Sequence, residues 1–221
     1  MNLKKVRGLK YPDEYFTKFF FKNGLFEKSL KVLEFGCGNG SNLQLAYSFD
    51  SEVVGVDFDA KQIENANYNF SLHNSSLEYK FFHTDINSFV EKYKNTQADV
   101  LLLPSVVYYV SQEDFILFLK NLKKSGHIKN SIPFFIRIRT PKDFRYGLGE
   151  RVAKSSYKMP SPSITGEDSA TITFYTESEI VNILKEHLAL REYKVFHLDN
   201  QNEHSGEVIL NSDIVIWGTV N

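Results

Sequence analysis

The stretch Leu33-Glu34-Phe35-Gly36-Cys37-Gly38-Asn39-Gly40, LEFGCGNG at residues 33–40, follows the first apolar run of a 221-residue chain. Lys31 to Phe35 reads as a buried strand, and Ser41 to Phe49 can form a helix directly after it. Three alternating glycines between a strand and a helix bring bare backbone to the carboxyl end of a strand, where open α/β sheets bind ligands. A tight turn would need fewer glycines. The pattern therefore predicts a binding loop, with the carboxylate of Glu34 at its foot.

Outward from this loop, apolar runs alternate with helical patterns. Residues 52–57 (EVVGVD) read as a second strand and Ala60 to His73 as a helix with Ile63, Ala66 and Phe70 on one face. Residues 77–83 form a third strand, followed by a short helix from Asn87 to Tyr93. Residues 98–104 (ADVLLLP) are almost wholly apolar, as a strand covered on both faces should be. A helix from Glu113 to Leu122 and a strand from Ile132 to Arg139 complete the alternation, with Pro133 tolerated at the strand start. Such alternation predicts an α/β protein with a mostly parallel, Rossmann-like sheet and helices on both faces.

The flanks differ. Tyr11 to Phe21 reads as a helix with Pro12 near its start, so residues 1–30 form an N-terminal helical cap. Pro141 to Ser169 is rich in Pro, Gly and Ser and too long for a plain connection, so residues 140–170 read as an insertion covering the substrate. Thr176 to Glu179 (TESE) is a capping box opening a helix. REYKVFHLD and EVILNSDIVIWGTV read as two closing strands, joined by the polar NQNEHSG as an antiparallel hairpin. The whole chain, 1–221, reads as one domain.

Composition narrows the class. Apolar residues make up 42% of the chain and the formal net charge is −1, so a generally basic nucleic-acid binder is disfavoured. Cys37 is the one cysteine, which excludes an intrachain disulfide. No run is long enough for a membrane helix, and the N-terminus has no apolar signal core, so a cytoplasmic location is expected.

Two further acids stand where a nucleoside would need them. Asp57 ends the second strand, where a carboxylate can accept from both hydroxyls of a ribose; Asp59 is the better candidate for capping the next helix. Asp85 follows the third strand in FFHTDI; it could accept from an adenine amine with Ile86 packed on the ring, or cap the following helix.

With LEFGCGNG, VVGVDFD, HTDI and ADVLLLPSVVYY, most of the chain resembles the class I S-adenosylmethionine-dependent methyltransferases. The resemblance implies a seven-stranded sheet ending in a hairpin, with S-adenosyl-L-methionine as cofactor and S-adenosyl-L-homocysteine as product. It implies that Gly36, Cys37, Gly38 and Gly40 cradle the methionine moiety beside Glu34. Asp57 with Phe58 would hold the ribose side, Asp85 and Ile86 the adenine, and Pro104 and Ser105 the methyl-transfer site. No metal is implied. The stretch Lys123-Lys124-Ser125-Gly126-His127 departs from the family's usual L-K-P-G-G before the fifth strand. A nicotinamide-dependent oxidoreductase is the rival, but its G-x-G-x-x-G spacing is not met, because Ser41 stands where the last glycine belongs.

The acceptor is a separate question. Leu103-Pro104-Ser105-Val106 lacks the [DN]-P-P-[YFW] of enzymes that methylate amino groups of bases. Tyr108 and Tyr109 lie where an acceptor could be oriented, and Tyr11 could reach it from the cap. His83 reads as pocket wall and the other histidines as structural. Residues 137–158 hold seven basic and two acidic residues, so Arg139 and Arg145 are expected to meet an anionic small molecule, phosphorylated or nucleotide-linked. Such an acceptor needs no strong base. The stretch RGLKYPDEYFTKFFFKNG resembles bacterial methyltransferases of capsule and surface-carbohydrate pathways. An RNA methyltransferase and a cofactor-binding subunit without turnover are the remaining readings. Nothing in the sequence speaks to oligomeric state.

Overall fold

The computed structural model describes residues 3–94, 96–128 and 130–221. Helix α1, Glu14–Lys22, starts where the Asp13 carboxylate accepts from the backbone N–H groups of Tyr15 and Phe16, a cap that contributes about 1 kcal/mol. Its apolar face carries Phe16, Phe19 and Phe20, all buried. Strand β1 (Lys31–Phe35) leads through the glycine loop into α2 (Ser41–Tyr47). The alternation continues through β2 (Glu52–Asp57), α3 (Ala60–Ser71), β3 (Tyr79–His83), α4 (Ile86–Lys92), β4 (Val100–Leu103), α5 (Gln112–Lys124) and β5 (Ile132–Arg139).

The main sheet has seven strands in the order β3-β2-β1-β4-β5-β10-β9, where β9 is Arg191–His204 and β10 is Glu207–Val220. Strands β1 to β5 pair in parallel, while β10 runs antiparallel to both β5 and β9. Strand order reverses between β1 and β4. That switch point opens a crevice above the carboxyl ends of the strands, immediately over the glycine loop.

Side-chain alternation divides β5 between two cores. Phe134, Ile136 and Ile138 face α4, α5 and α6 (Glu177–Leu188), whereas Phe135 meets Phe16 and Phe19 of α1 at ring-centroid distances of 5.9 and 5.6 Å. Arg137 shares the Phe135 face by the same period of two. It therefore emerges beside the start of α1, next to Asp13.

Two segments differ from the sequence reading. The stretch read as an insertion without assigned elements contains β6 (Glu150–Ala153) and β7 (Ser156–Lys158), which pair antiparallel, β7 pairing in turn with β8 (Thr171–Thr173). This small sheet closes on its own apolar cluster of Tyr108, Met159, Ile172 and Phe174. Its strands are three or four residues long and the first is wholly exposed, so periodicity had nothing to register. The polar linker of the final hairpin is likewise mostly strand. Asn200 to His204 pair with Glu207 to Asn211, and only Ser205 and Gly206 turn, both at positive φ as a tight two-residue hairpin requires. Backbone pairing continues along a ladder whether or not the side chains are apolar.

Candidate active site

Two cavities meet above the switch point, and Gly36 and Ser105 line both. The larger, about 840 Å³, is walled by Asp57 and Phe58 after β2, Asp85 and Ile86 after β3, and Val106, Tyr109 and Val110 after β4. The smaller, about 470 Å³, lies between the glycine loop, Pro104 and the N-terminal segment, with Tyr11 and Tyr108 in its wall.

The glycines of the loop serve different ends. Gly36 has φ +71°, and a Cβ there would stand 2.5 Å from Val106 Cβ, so the crevice wall leaves no room for a side chain. At Gly38 the nearest atom to an added Cβ is Gln62 Oε1 at 4.0 Å, so its bare backbone borders open space in the smaller cavity. Gly40 lines neither cavity. A Cβ on it would lie 2.9 Å from the Phe70 ring, so this glycine allows α2 to start against α3. That differs from the direct cofactor contact expected of it.

Asp57 braces the loop. Its Oδ2 accepts from Gly38 N at 2.8 Å and its Oδ1 from Asp59 N at 2.9 Å, while the residue still lines the larger cavity. Asp59 caps α3, as its position implied. Asp85 caps α4, its Oδ1 accepting from Ser88 N, and it also lines the larger cavity beside Ile86. Burial alone would raise this carboxyl, but the Ser88 donors outweigh that and hold it below its ordinary range.

Glu34 is only 1% exposed. Its Oε1 accepts from Asn42 Nδ2 at 2.8 Å, and its Oε2 is buried without a partner among the described residues. Burial pushes this carboxyl up to about 8; Asp57 and Asp13 add to the effect and the Asn42 bond opposes it. Cys37 is buried in the same wall, its thiol raised by burial and by the charges of Glu34 and Asp57.

The N-terminal segment is strapped over the smaller cavity by Asn39 of the loop and Asn42 of α2. Asn39 Nδ2 donates to the carbonyls of Arg7 and Leu9, and Asn42 Oδ1 accepts from Asp13 N. Asp13 also pairs with Arg137, which binds Asp213 of β10 through Nε and Nη2. Asn39 between the glycines and Asn42 just after them are the sequence signal for this arrangement.

The arginines expected to face the acceptor do not line either cavity. Arg139 pairs with Glu167 at 2.7 Å and stacks over the Tyr108 ring at 4.3 Å. Arg145 binds Asp143 and the other oxygen of Glu167. Glu167 also accepts from Thr165 Oγ1, and from Tyr109 Oη at 2.9 Å. Burial tends to raise the Glu167 carboxyl, but Arg139, Thr165 and Arg145 overcome it and hold it at about 2. The basic run was counted without Glu167, which lies beyond it in sequence. Arg139 and Arg145, expected to meet an anionic molecule, are thus neutralised by carboxylates of the chain itself. Tyr109, with its hydroxyl donated to Glu167, is raised by burial and by the neighbouring Tyr108.

No histidine is among the residues lining either cavity. His83, expected in the wall, bonds the Phe58 carbonyl at 3.0 Å instead. His127 is buried with Nδ1 on the Thr96 carbonyl. No cluster of metal-ligating side chains occurs among the described residues, and no described helix is long and apolar enough to cross a membrane.

Comparison with known proteins places this architecture. A family model described as a methyltransferase domain matches residues 26–133. Ubiquinone biosynthesis O-methyltransferase of Pelagibacter ubique is 30% identical over 101 residues, which make up 45% of this chain and 40% of that protein's length. Among solved structures, an S-adenosylmethionine-dependent methyltransferase from Methanosarcina mazei superposes with a TM-score of 0.66 at 16% identity, covering 90% of this chain and 96% of that one. Magnesium protoporphyrin IX methyltransferase from Synechocystis, solved with S-adenosylmethionine bound, superposes with a TM-score of 0.54 at 13% identity, over 92% and 76% of the two chains.

Proposed function

From the class I S-adenosylmethionine-dependent methyltransferase fold that this chain has, we propose that it transfers a methyl group from S-adenosylmethionine to a small-molecule acceptor. The observation that carries the reading is the pair of cavities joined at Gly36 and Ser105, with an orphaned, buried carboxylate oxygen of Glu34 in the wall of the smaller. Once ionised, that carboxyl pairs with an ammonium group and repels a pyrophosphate.

The remaining residues fit the cofactor in turn. Backbone at Gly36 and Gly38 would carry the aminobutyrate chain. Asp57 would accept from the ribose hydroxyls, and Asp85 from the adenine amine, with Ile86 and the exposed Phe58 ring against the base. Pro104 and Ser105 would border the reacting carbon. The cofactor, when bound, supplies an electrophilic methyl on a good leaving group. What this chain contributes is then alignment and exclusion of water, with little need for a strong base. Tyr11, Tyr108 and Tyr109 would position the acceptor. A cytoplasmic location and a place in surface-carbohydrate modification belong to this proposal on sequence grounds alone, the second through the resemblance of the N-terminal stretch.

Calorimetric titration with S-adenosylhomocysteine tests the reading. Single-site binding is expected, weakened at least about tenfold in Asp57→Ala by loss of charge-assisted bonds. Binding of NADH in its place would overturn it.

A further inference from the structure

The charged residues lining the larger cavity are Asp57, Asp85 and Asp114, all acids. In the smaller they are Asp13, Glu34 and Arg137, and Arg137 is held by Asp13 and Asp213 together. The cations nearest the two tyrosines are turned away: Arg139 lies on the Tyr108 ring with its charge met by Glu167, and Arg145 is met by Asp143 and Glu167. The field inside the larger cavity is negative, and low-dielectric walls focus it.

The carboxylate and amide groups of this wall point the same way. Asp57 Oδ1 and Oδ2 and the carboxylates of Asp85 and Asp114 are acceptors. Asn87 donates its Nδ2 to the Asp114 carbonyl at 3.4 Å, and its Oδ1 is buried with no partner among the described residues. Ser111 Oγ occupies Asp114 Oδ2. Tyr109 spends its hydroxyl hydrogen on Glu167. Around these acceptors the wall is apolar, through Ile86, Val106, Val110 and Leu117.

We infer that the methyl acceptor is an apolar-bodied molecule that carries hydroxyl or amine donors and no anionic group. The inference rests on the proposed methyl transfer and replaces the anionic acceptor expected from the basic stretch. A carboxylate or phosphate entering the larger cavity would meet like charge and find no cation among its lining residues. A hydroxyl or ammonium meets oxygen lone pairs. The adenine amine would satisfy Asp85, which leaves Asp114 and Asn87 Oδ1 for the acceptor.

The test uses three probes of one shape: 4-ethylphenol, tyramine and 3-(4-hydroxyphenyl)propanoate, which differ only in a neutral, cationic or anionic tail. Each is titrated calorimetrically into protein saturated with S-adenosylhomocysteine, whose own binding is measured first and reports separately on the methyltransferase reading. The neutral and cationic probes are expected to bind, and the carboxylate at least tenfold more weakly. Asp114→Asn, which keeps an oxygen for Ser111, narrows that gap several-fold. Equal or tighter binding of the carboxylate, no binding by any of the three, or a gap unchanged by Asp114→Asn overturns the inference. So does Glu167→Gln making the carboxylate the preferred probe, since that would mean the arginines serve an anion once released.

Discussion

A carboxyl raised to about 8 at the foot of the glycine loop makes cofactor binding a proton-linked event. At pH 7 such a group is roughly nine-tenths protonated, and a protonated carboxyl cannot pair with an ammonium. Ionising it costs about 1.4 kcal/mol at pH 7 and about 2.7 kcal/mol at pH 6, from 1.36 kcal/mol per pH unit below its pKa. The Kd of S-adenosylhomocysteine should therefore fall about tenfold per unit between pH 6 and pH 7, and flatten toward pH 8. Calorimetry in two buffers of different ionisation enthalpy should register the release of about 0.9 proton per ligand at pH 7. Glu34→Gln keeps an oxygen for Asn42 and removes the titration, so its affinity should be level across this range. The stability of the free protein gives the matching sign. A carboxyl whose pKa rises from 4.5 to about 8 on folding contributes its stability below pH 4.5 and loses it as pH climbs through 8. Across the full window that is on the order of 5 kcal/mol. Glu34→Gln should accordingly be the more stable protein at pH 8, by urea denaturation without ligand. A level profile in the wild type, or a slope that persists in Glu34→Gln, would refute the assignment.

Gly36→Ala should cost about 2–4 kcal/mol in urea denaturation, because it combines a φ of +71° with a Cβ placed 2.5 Å from Val106 Cβ; adding Val106→Gly, which removes that Cβ, should recover the steric part relative to Val106→Gly alone and leave the backbone part. Glu167, held at about 2 on folding, contributes stability that is complete above its unfolded value of 4.5 and is lost as pH falls toward 2. Wild type should therefore lose melting temperature over that interval relative to Glu167→Gln, and the two curves should converge at the acid end.

Much of the fold was legible because its signals are local. Continuous apolar runs marked the parallel strands, and the Thr176–Glu179 capping box marked the start of α6 within a residue. The glycine loop, Asp57, Asp85 and Ile86 were readable because strand ends and the residues just after them converge at a switch point. The short strands of the insertion were not, since their pairing is stabilised by contacts to Tyr108 and Phe174 rather than by any pattern within three residues.

The chain's own order of residues determined which elements form and where a nucleoside-sized crevice would open, because backbone periodicity and capping act over a few positions. The tertiary structure alone decided where the charges go. Arg137 meets Asp13 across 124 residues, Arg139 meets Glu167 across 28, and Arg145 meets Glu167 across 22. Counting charge along the chain made the stretch basic; folding neutralised these three arginines, because Coulomb attraction depends on distance in space and is indifferent to separation in sequence.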